Sequence, residues 1–172
     1  MLDKPKKIKP KIEDKIPKQL DGDMQKIALD FVVWLRQNKM TLSSAGFRDA
    51  WKANCKGKMI CYVKLRNNER EKTSKWVVYP NLAHFGEYEH ILVEEGLQNI
   101  IWENVCNCFV CRPECSMKNS RDKIILGKVC EKLCGSRHPL WFFDPNEETI
   151  DCIKRLLELE KQARDEMIVG TK

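Results

Sequence analysis

The sequence lacks the long apolar run that a membrane-spanning helix requires. Such a helix needs about 20 mostly apolar residues to cross a bilayer, and the 172-residue chain has no run of that kind. It also has no apolar segment directly after its lysine-rich start, so the pattern of a secretory signal is missing. These two absences predict a cytoplasmic protein that does not associate with membranes.

Residues for acid–base catalysis are scarce as well. The chain has three histidines, His84, His90 and His138, and none of them lies in an H-E-x-x-H or H-x-E motif. The phosphate-binding patterns G-x-x-x-x-G-K-[ST] and G-x-G-x-x-G and the nucleophile pattern G-x-S-x-G do not occur either. We therefore expect a protein without enzymatic activity.

Positive charge is concentrated at the beginning of the chain. The net charge is +6, and the first 19 residues carry seven lysines and three acidic residues, which leaves +2 on the remainder. Because proline breaks helices and like charges repel, residues 1–20 are predicted to be a disordered basic tail. A solvated terminus is the favoured interpretation, and an arm that binds nucleic acid or an acidic partner is the alternative. Residues 21–168 are predicted to form a single domain.

Cysteine is abundant and clustered. There are nine, and six of them follow the spacing C-x-C-x2-C-x3-C-x14-C-x3-C between positions 106 and 134. In a reducing compartment such a cluster indicates metal ligands rather than disulfides, and zinc takes four thiolates in a tetrahedron. The preferred ligands are Cys108, Cys111, Cys115 and Cys130. The reserve ligands are Cys106 and Cys134.

Other interpretations of the cluster remain open. Unligated reduced thiols are the main alternative to zinc. The bacterial ferredoxin run is not matched, because the first gap is a single residue and Ser116 follows Cys115. A redox C-x2-C pair usually opens a helix after a strand, whereas Cys108 and Cys111 lie among further cysteines. Since no catalytic motif accompanies the cluster, the zinc is predicted to be structural.

Hydrophobic periodicity predicts an α+β fold, with an antiparallel meander packed against three main helices and a cysteine-rich, zinc-binding segment at 105–138. Amphipathic spacing predicts helices over 23–37, over 87–104 with a break at Gly96, and from a cap at Asp144 to about Met167. Alternation of apolar and polar residues predicts a hairpin over 47–65 that turns at Gly57, a third strand over 75–79, and short strands at 124–126 and 140–143.

The predicted hairpin and third strand mix basic and aromatic residues. These residues are Trp51, Lys52, Lys56, Lys58, Tyr62, Lys64, Arg66, Arg70, Lys75, Trp76 and Tyr79. Rings that stack bases beside lysines that meet phosphates would form a nucleic-acid platform. The favoured interpretation is a sheet with one buried face and lysines on the other, which can also hold a small apolar or cationic ligand between its rings.

Four stretches of the chain resemble a group of small bacterial proteins from anaerobic Firmicutes. They are FVVWLRQNKM at 31–40, WKANCKGKMICYVK at 51–64, DCIKRLL at 151–157, and the cysteine run with ILGK at 125–128 and Cys130. The resemblance covers about residues 24–160, and the lysine-rich tail and Cys134 depart from it. It implies an intracellular domain of unknown function with a cysteine cluster and without an assigned catalytic residue.

Three functions follow from the sequence. The first is a non-enzymatic binding module for a small molecule or a protein, stabilised by zinc. The second is a nucleic-acid-binding protein that uses the basic tail and the hairpin, and the third is a thiol redox or metal-handling protein.

Overall fold

The structure is a computed structural model that describes residues 10–47, 49–65, 74–107, 119–135 and 138–169. Within these ranges it contains an antiparallel five-stranded sheet, a separate two-stranded hairpin and five helices. The predicted α+β class is thereby confirmed. None of the helices in the described ranges is long and apolar enough to cross a membrane.

The five-stranded sheet extends the predicted meander at both edges. Its strands lie in the order β1 (Thr41–Ser44), β2 (Ala50–Cys55), β3 (Lys58–Leu65), β4 (Trp76–Pro80) and β7 (Phe142–Phe143). Each neighbouring pair is antiparallel. The turn between β2 and β3 consists of Lys56 and Gly57, both at positive φ, which is the two-residue turn that matches the twist of a hairpin.

Alternation along the strands divides the sheet into a core face and an outer face. Trp51, Val63, Val78 and Phe142 lie in one row across the four strands β2, β3, β4 and β7, and all four are buried. Their neighbours in sequence point to the opposite face, because successive side chains of a strand alternate. The alternation predicted for residues 51–55 is confirmed.

Helices cover the core face. α2 (Gly22–Gln37) contacts β1, and α5 (Glu147–Val169) contacts β3 and β4. α3 (Phe85–Glu94) and α4 (Gln98–Glu103) both contact α5, and a glycine at positive φ, Gly96, separates them. The predicted helices are therefore confirmed, and the break at Gly96 is real.

The structure differs from the expected tail over residues 10–20. Residues Ile12–Gln19 form helix α1, which includes Pro17 and packs against α2. Ile12 and Ile16 are one helical turn apart and fully buried, so burial of this apolar pair outweighs the penalty of the proline. Arg36 of α2 forms an ion pair with Glu13 at 2.5 Å. Residues 1–9 of the predicted tail lie outside the described residues.

The second hairpin lies inside the predicted cysteine-rich segment. It consists of β5 (Ser120–Ile125) and β6 (Lys128–Cys134), joined by a turn in which Leu126 and Gly127 have positive φ. Ile125 and Leu133 are buried in the main core, and the indole nitrogen of Trp102 in α4 donates to the carbonyl of Ile125 at 2.8 Å. The short strand expected at 124–126 is part of β5, whereas β6 was not predicted.

Candidate functional site

A row of aromatic side chains crosses the outer face of the five-stranded sheet. Tyr62 of β3 pairs directly with Tyr79 of β4, and Trp141 and Phe143 follow on the far side of β4. Phe47, from the loop between β1 and β2, extends the row at its other end. The four rings of the sheet itself are partly buried, and Phe47 is 47% exposed.

The rings of this aromatic row lie against one another. The centroid of Tyr79 lies 4.9 Å from that of Tyr62, with an interplanar angle of 30°, and 5.0 Å from that of Trp141, with an angle of 15°. Tyr79 and Trp141 are stacked and Tyr62 and Tyr79 are tilted, but rings this close must overlap, because rings lying side by side would clash at their edges. Since β4 lies between β3 and β7, both faces of Tyr79 are covered. The row is therefore a preorganised wall rather than a set of open ring faces.

A cavity of about 310 Å³ opens beside this wall. Four of its lining residues belong to the aromatic row, namely Phe47, Tyr62, Tyr79 and Trp141. The other four are Met59, Pro80, Asn81 and His138. Its volume is at the lower end of the range of small-molecule sites, roughly 300–1,000 Å³. We call this space the aromatic cavity.

His138 contributes an imidazole to the lining of the aromatic cavity. Its ring meets the ring of Phe85 edge-on at 5.3 Å between centroids, and its Nδ1 atom is buried without a hydrogen-bond partner among the described atoms. Burial lowers the pKa of His138 to about 4, and the positive charge of Lys123 acts in the same direction. The ring is therefore neutral at pH 7.

A buried carboxylate lies behind the cavity. Glu160 of α5 is 0% exposed and accepts hydrogen bonds from the backbone N–H groups of Ala83 and His84 at 3.2 and 3.1 Å and from the hydroxyl of Tyr88 at 3.0 Å. The Nε of Arg164 donates to it at 2.7 Å, and Nδ1 of His84 lies 3.0 Å away. Burial acts to raise the pKa of Glu160, but the hydrogen bonds from His84 and Arg164 outweigh it, so its pKa lies below the ordinary value.

Arg164 connects this carboxylate to the aromatic cavity. Its two terminal nitrogens donate to the carbonyl of Met59 at 3.2 Å and to that of Asn81 at 2.9 Å, and both of these residues line the cavity. Arg164 also borders a second cavity of about 250 Å³ together with Cys55, Lys58 and His84. The guanidinium therefore fixes the backbone at one end of the aromatic cavity.

Most of the predicted zinc ligands fall outside the structural description. Cys108, Cys111 and Cys115 lie in the segment 108–118, outside the described residues. Among the residues that the structure describes, no three His, Cys, Asp or Glu side chains are grouped closely enough to hold a metal ion. The zinc site therefore stays a prediction.

The three described cysteines of the cluster occupy different positions. Cys130 of β6 is partly buried against the core and its Sγ lies 3.7 Å from the carbonyl of Lys128. Cys134 directly follows the buried Leu133 on the same strand, so its side chain points to the opposite face of the hairpin. Cys106 lies after α4, where its N–H donates to the carbonyl of Pro139 at 2.8 Å. Residues four apart share a face of a regular strand, but a β-bulge lies between Cys130 and Cys134, where the step from Cys130 to Leu133 on β6 is one residue longer than the matching step on β5. Cys130 therefore lies on the same face as Leu133, and Cys134 lies on the opposite face.

The thiols predicted to belong to the core are buried. Burial raises the pKa of Cys61 to about 12, and burial together with the nearby charge of Glu148 raises the pKa of Cys152 to about 12. Cys55 is 5% exposed. A thiol with such a raised pKa carries almost no thiolate at neutral pH, so Cys61 and Cys152 are poor nucleophiles.

The residues proposed for a nucleic-acid platform divide between the two faces of the sheet. Trp51 and Trp76 are buried in the core, whereas Lys52, Tyr62 and Tyr79 lie in one row on the outer face. Arg66 and Arg70 lie outside the described residues. Of the four aromatic residues proposed for the platform, only Tyr62 and Tyr79 therefore lie on the outer face.

Phe47, Trp141 and His138 of the cavity were not singled out as a site by the sequence. One signal could have found Trp141: in the run 140–143, Trp141 and Phe143 alternate with the buried Leu140 and Phe142. The position of this short strand beside β4 could not be read from the chain, because the strand follows β4 by some 60 residues and pairs with it through only two.

Comparison of the chain with known protein families, with curated proteins and with solved structures finds no match.

Proposed function

We propose that the protein is a non-enzymatic binding module that holds a small planar ligand in the aromatic cavity. The observation that carries this proposal is the packing of Tyr79 between the stacked ring of Trp141 and the tilted ring of Tyr62. Because these rings are fixed by one another, a ligand that packs against them loses little of its binding energy to ordering side chains. Aromatic side chains and a few polar groups that line a concave space are typical of small-molecule sites.

Phe47 provides the first test, because it combines exposure with a place in the cavity wall. In a screen of uncharged aromatic and heteroaromatic compounds by thermal shift, a binder should lose at least about fivefold in affinity for the Phe47→Ala variant, as is usual for a ring at a binding site. Val33→Ala is the matched control, because Val33 is 50% exposed on α2.

Both variants should keep the unfolding free energy of the original protein within about 0.5 kcal/mol, since exposed substitutions have small effects. Equal affinity of the two variants for every binder, or a screen without any binder, would refute the proposed site.

The proposal includes one structural zinc ion held by Cys108, Cys111, Cys115 and Cys130. Its support is the cysteine spacing, with a C-x2-C step that suits one ion. Cys130 lies on a hairpin whose Ile125 and Leu133 pack into the main core, so a bound ion would tie the segment 108–118 to the fold. The same thiols also leave open a metal-handling role.

Elemental analysis by mass spectrometry should find about one zinc ion per purified chain, and a chelator should lower the melting temperature. Cys130→Ser should release the ion, whereas Cys134→Ser, on the same strand but the opposite face, should retain it. Loss of zinc from the Cys134 variant alone would show that the ligand set is wrongly assigned. A chain without metal that melts at the same temperature would remove zinc from the proposal.

Nucleic-acid binding through a stacking platform is less well supported. Bases stack on open ring faces, and both faces of Tyr79 are already covered by neighbouring rings. Thiol redox activity would have to come from the cluster at 106–134, since Cys61 and Cys152 are buried thiols of raised pKa.

A further inference from the structure

The described residues that line the aromatic cavity carry no formal charge. None of the eight is Asp, Glu, Lys or Arg, and the lowered pKa of His138 keeps its ring neutral at pH 7. An anion that entered this space would give up its hydration without meeting an opposite charge, which costs several kcal/mol. A cation is attracted by open ring faces, but both faces of Tyr79 are covered by neighbouring rings. The part of a ligand that enters the cavity is therefore uncharged.

The same lining is not purely apolar. It includes the phenol group of Tyr62 and the imidazole of His138, whose Nδ1 atom has no hydrogen-bond partner among the described atoms. A hydrocarbon ring would leave such a buried group without a hydrogen bond, which costs about 1–3 kcal/mol. A flat heterocycle with donors and acceptors on its edge fits both the rings and the polar groups.

Positive charge lies directly outside the cavity, on the same face of the sheet. Lys52 of β2 pairs with Tyr62 across the strands, so the two Cβ atoms are about 5 Å apart and both side chains point to the outer face. The rim beside Tyr62 therefore favours an anionic group.

We propose that the aromatic cavity binds the base of a nucleotide and that Lys52 binds its phosphate. This inference rests on the proposed function and names the ligand class of the same site. A volume of about 310 Å³ admits one ring system, so one nucleotide is bound at a time. A free nucleotide and the end of a single strand offer the same chemistry.

The test measures binding of four probes to the full chain by titration calorimetry. The probes are the ribonucleoside monophosphates, adenosine, inorganic phosphate and a short single-stranded oligonucleotide. At least one monophosphate should bind at least about fivefold more tightly than adenosine, because charge-assisted contacts to phosphate add affinity. Inorganic phosphate alone should bind more weakly than either, since it cannot use the rings.

Lys52→Ala should remove the difference between the monophosphate and the nucleoside while leaving adenosine binding unchanged. Lys26→Ala, at an exposed position of α2, is the matched control and should change neither. The indole signal of Trp141, one of five tryptophans, should shift in NMR spectra on titration, whereas that of Trp34 on α2 should not.

Each outcome has one meaning. Competition between the oligonucleotide and the monophosphate, with both weakened by Phe47→Ala, supports the end of a single strand as the source of the nucleotide, and binding of the monophosphate alone supports the free nucleotide. Oligonucleotide binding that Phe47→Ala does not weaken would overturn the inference, because charge alone would then explain it. Equal binding of adenosine and monophosphate overturns it too. If uncharged aromatic compounds bind and nucleotides do not, the inference fails and the proposed function stands; if nothing binds, both fail.

Discussion

Replacement of Glu160 by glutamine tests whether the hydrogen-bond network around this buried carboxylate stabilises the fold. The Glu160→Gln side chain keeps the size of the carboxylate but removes its charge and brings an NH₂ group toward a set of donors. Its surroundings donate from two backbone N–H groups, from the hydroxyl of Tyr88 and from Arg164. The Arg164 side chain is only 12% exposed, so its charge would lose its partner in a place that water hardly reaches.

Removing one partner of a buried ion pair typically destabilises a protein by about 3–5 kcal/mol. Since small domains are stable by only about 5–15 kcal/mol, Glu160→Gln should lose a large part of the total. Urea unfolding at pH 7 measures this as a lowered midpoint with an unchanged slope. Glu166→Gln, exposed on the same helix, is the control and should change the unfolding free energy by less than about 0.5 kcal/mol.

The pH dependence of Glu160 adds a second criterion. Its pKa is lower in the folded protein than its ordinary value, so the stabilisation is complete above the ordinary carboxyl pKa and is lost as the pH falls through the lower, folded value. The difference between the original protein and Glu160→Gln should therefore stay constant from neutral pH to about pH 5 and shrink in stronger acid. A loss below about 1 kcal/mol at pH 7 would refute the view that this network supports the fold.

Two further changes test the cavity and the hairpin. The folded pKa of His138 is about 4, below its ordinary value of 6.5, so the unfolded chain binds more protons between these values and stability is lost as the pH falls. Urea midpoints should report a loss of about 2 kcal/mol between about pH 7 and pH 5. His138→Gln should abolish this pH dependence, and His90→Gln should retain it. Gly57 has φ +79° and open space around its missing Cβ, so Gly57→Ala should cost about 1 kcal/mol through backbone strain alone. Gly86→Ala, in α3 with equally open space, should instead raise the midpoint, because alanine favours a helix by about 1 kcal/mol, and a loss of stability there would contradict this account.

Local patterns were sufficient for the parts of the fold that depend on neighbours in sequence. The stripe of apolar residues in α2, the alternation around Trp51 and the turn at Gly57 were all readable, because each is set by a period of 3.6 or 2 or by one glycine. Helix α1 was missed for a physical reason. Its lysines and proline resemble a solvated tail, and only the packing of Ile12 and Ile16 against α2 decides the matter.

The candidate site depends on contacts that no local pattern contains. Tyr62 and Tyr79 could be assigned to one face from alternation, but their neighbour Trp141 reaches them from a two-residue strand that pairs late in the chain. The cysteine spacing is the opposite case. It is a strong local signal, yet of the four preferred ligands only Cys130 falls within the described residues. The zinc prediction is therefore supported by the cysteine spacing and not by the positions of the ligands.

The placement of charge explains how a neutral cavity can lie beside a charged network. Arg164 donates to Glu160 on one side and to the carbonyls of Met59 and Asn81 on the other. Its charge is therefore compensated by these groups, although Met59 and Asn81 line the cavity. A buried charge that is fully hydrogen-bonded in this way can fix a backbone without presenting itself to a ligand. Since α5 contacts β3 and β4, the network fixes the backbone at one end of the two strands that carry Tyr62 and Tyr79. The carboxylate of α5 thus fixes the backbone beside the cavity through Arg164, while the cavity itself stays neutral because its lining carries no formal charge.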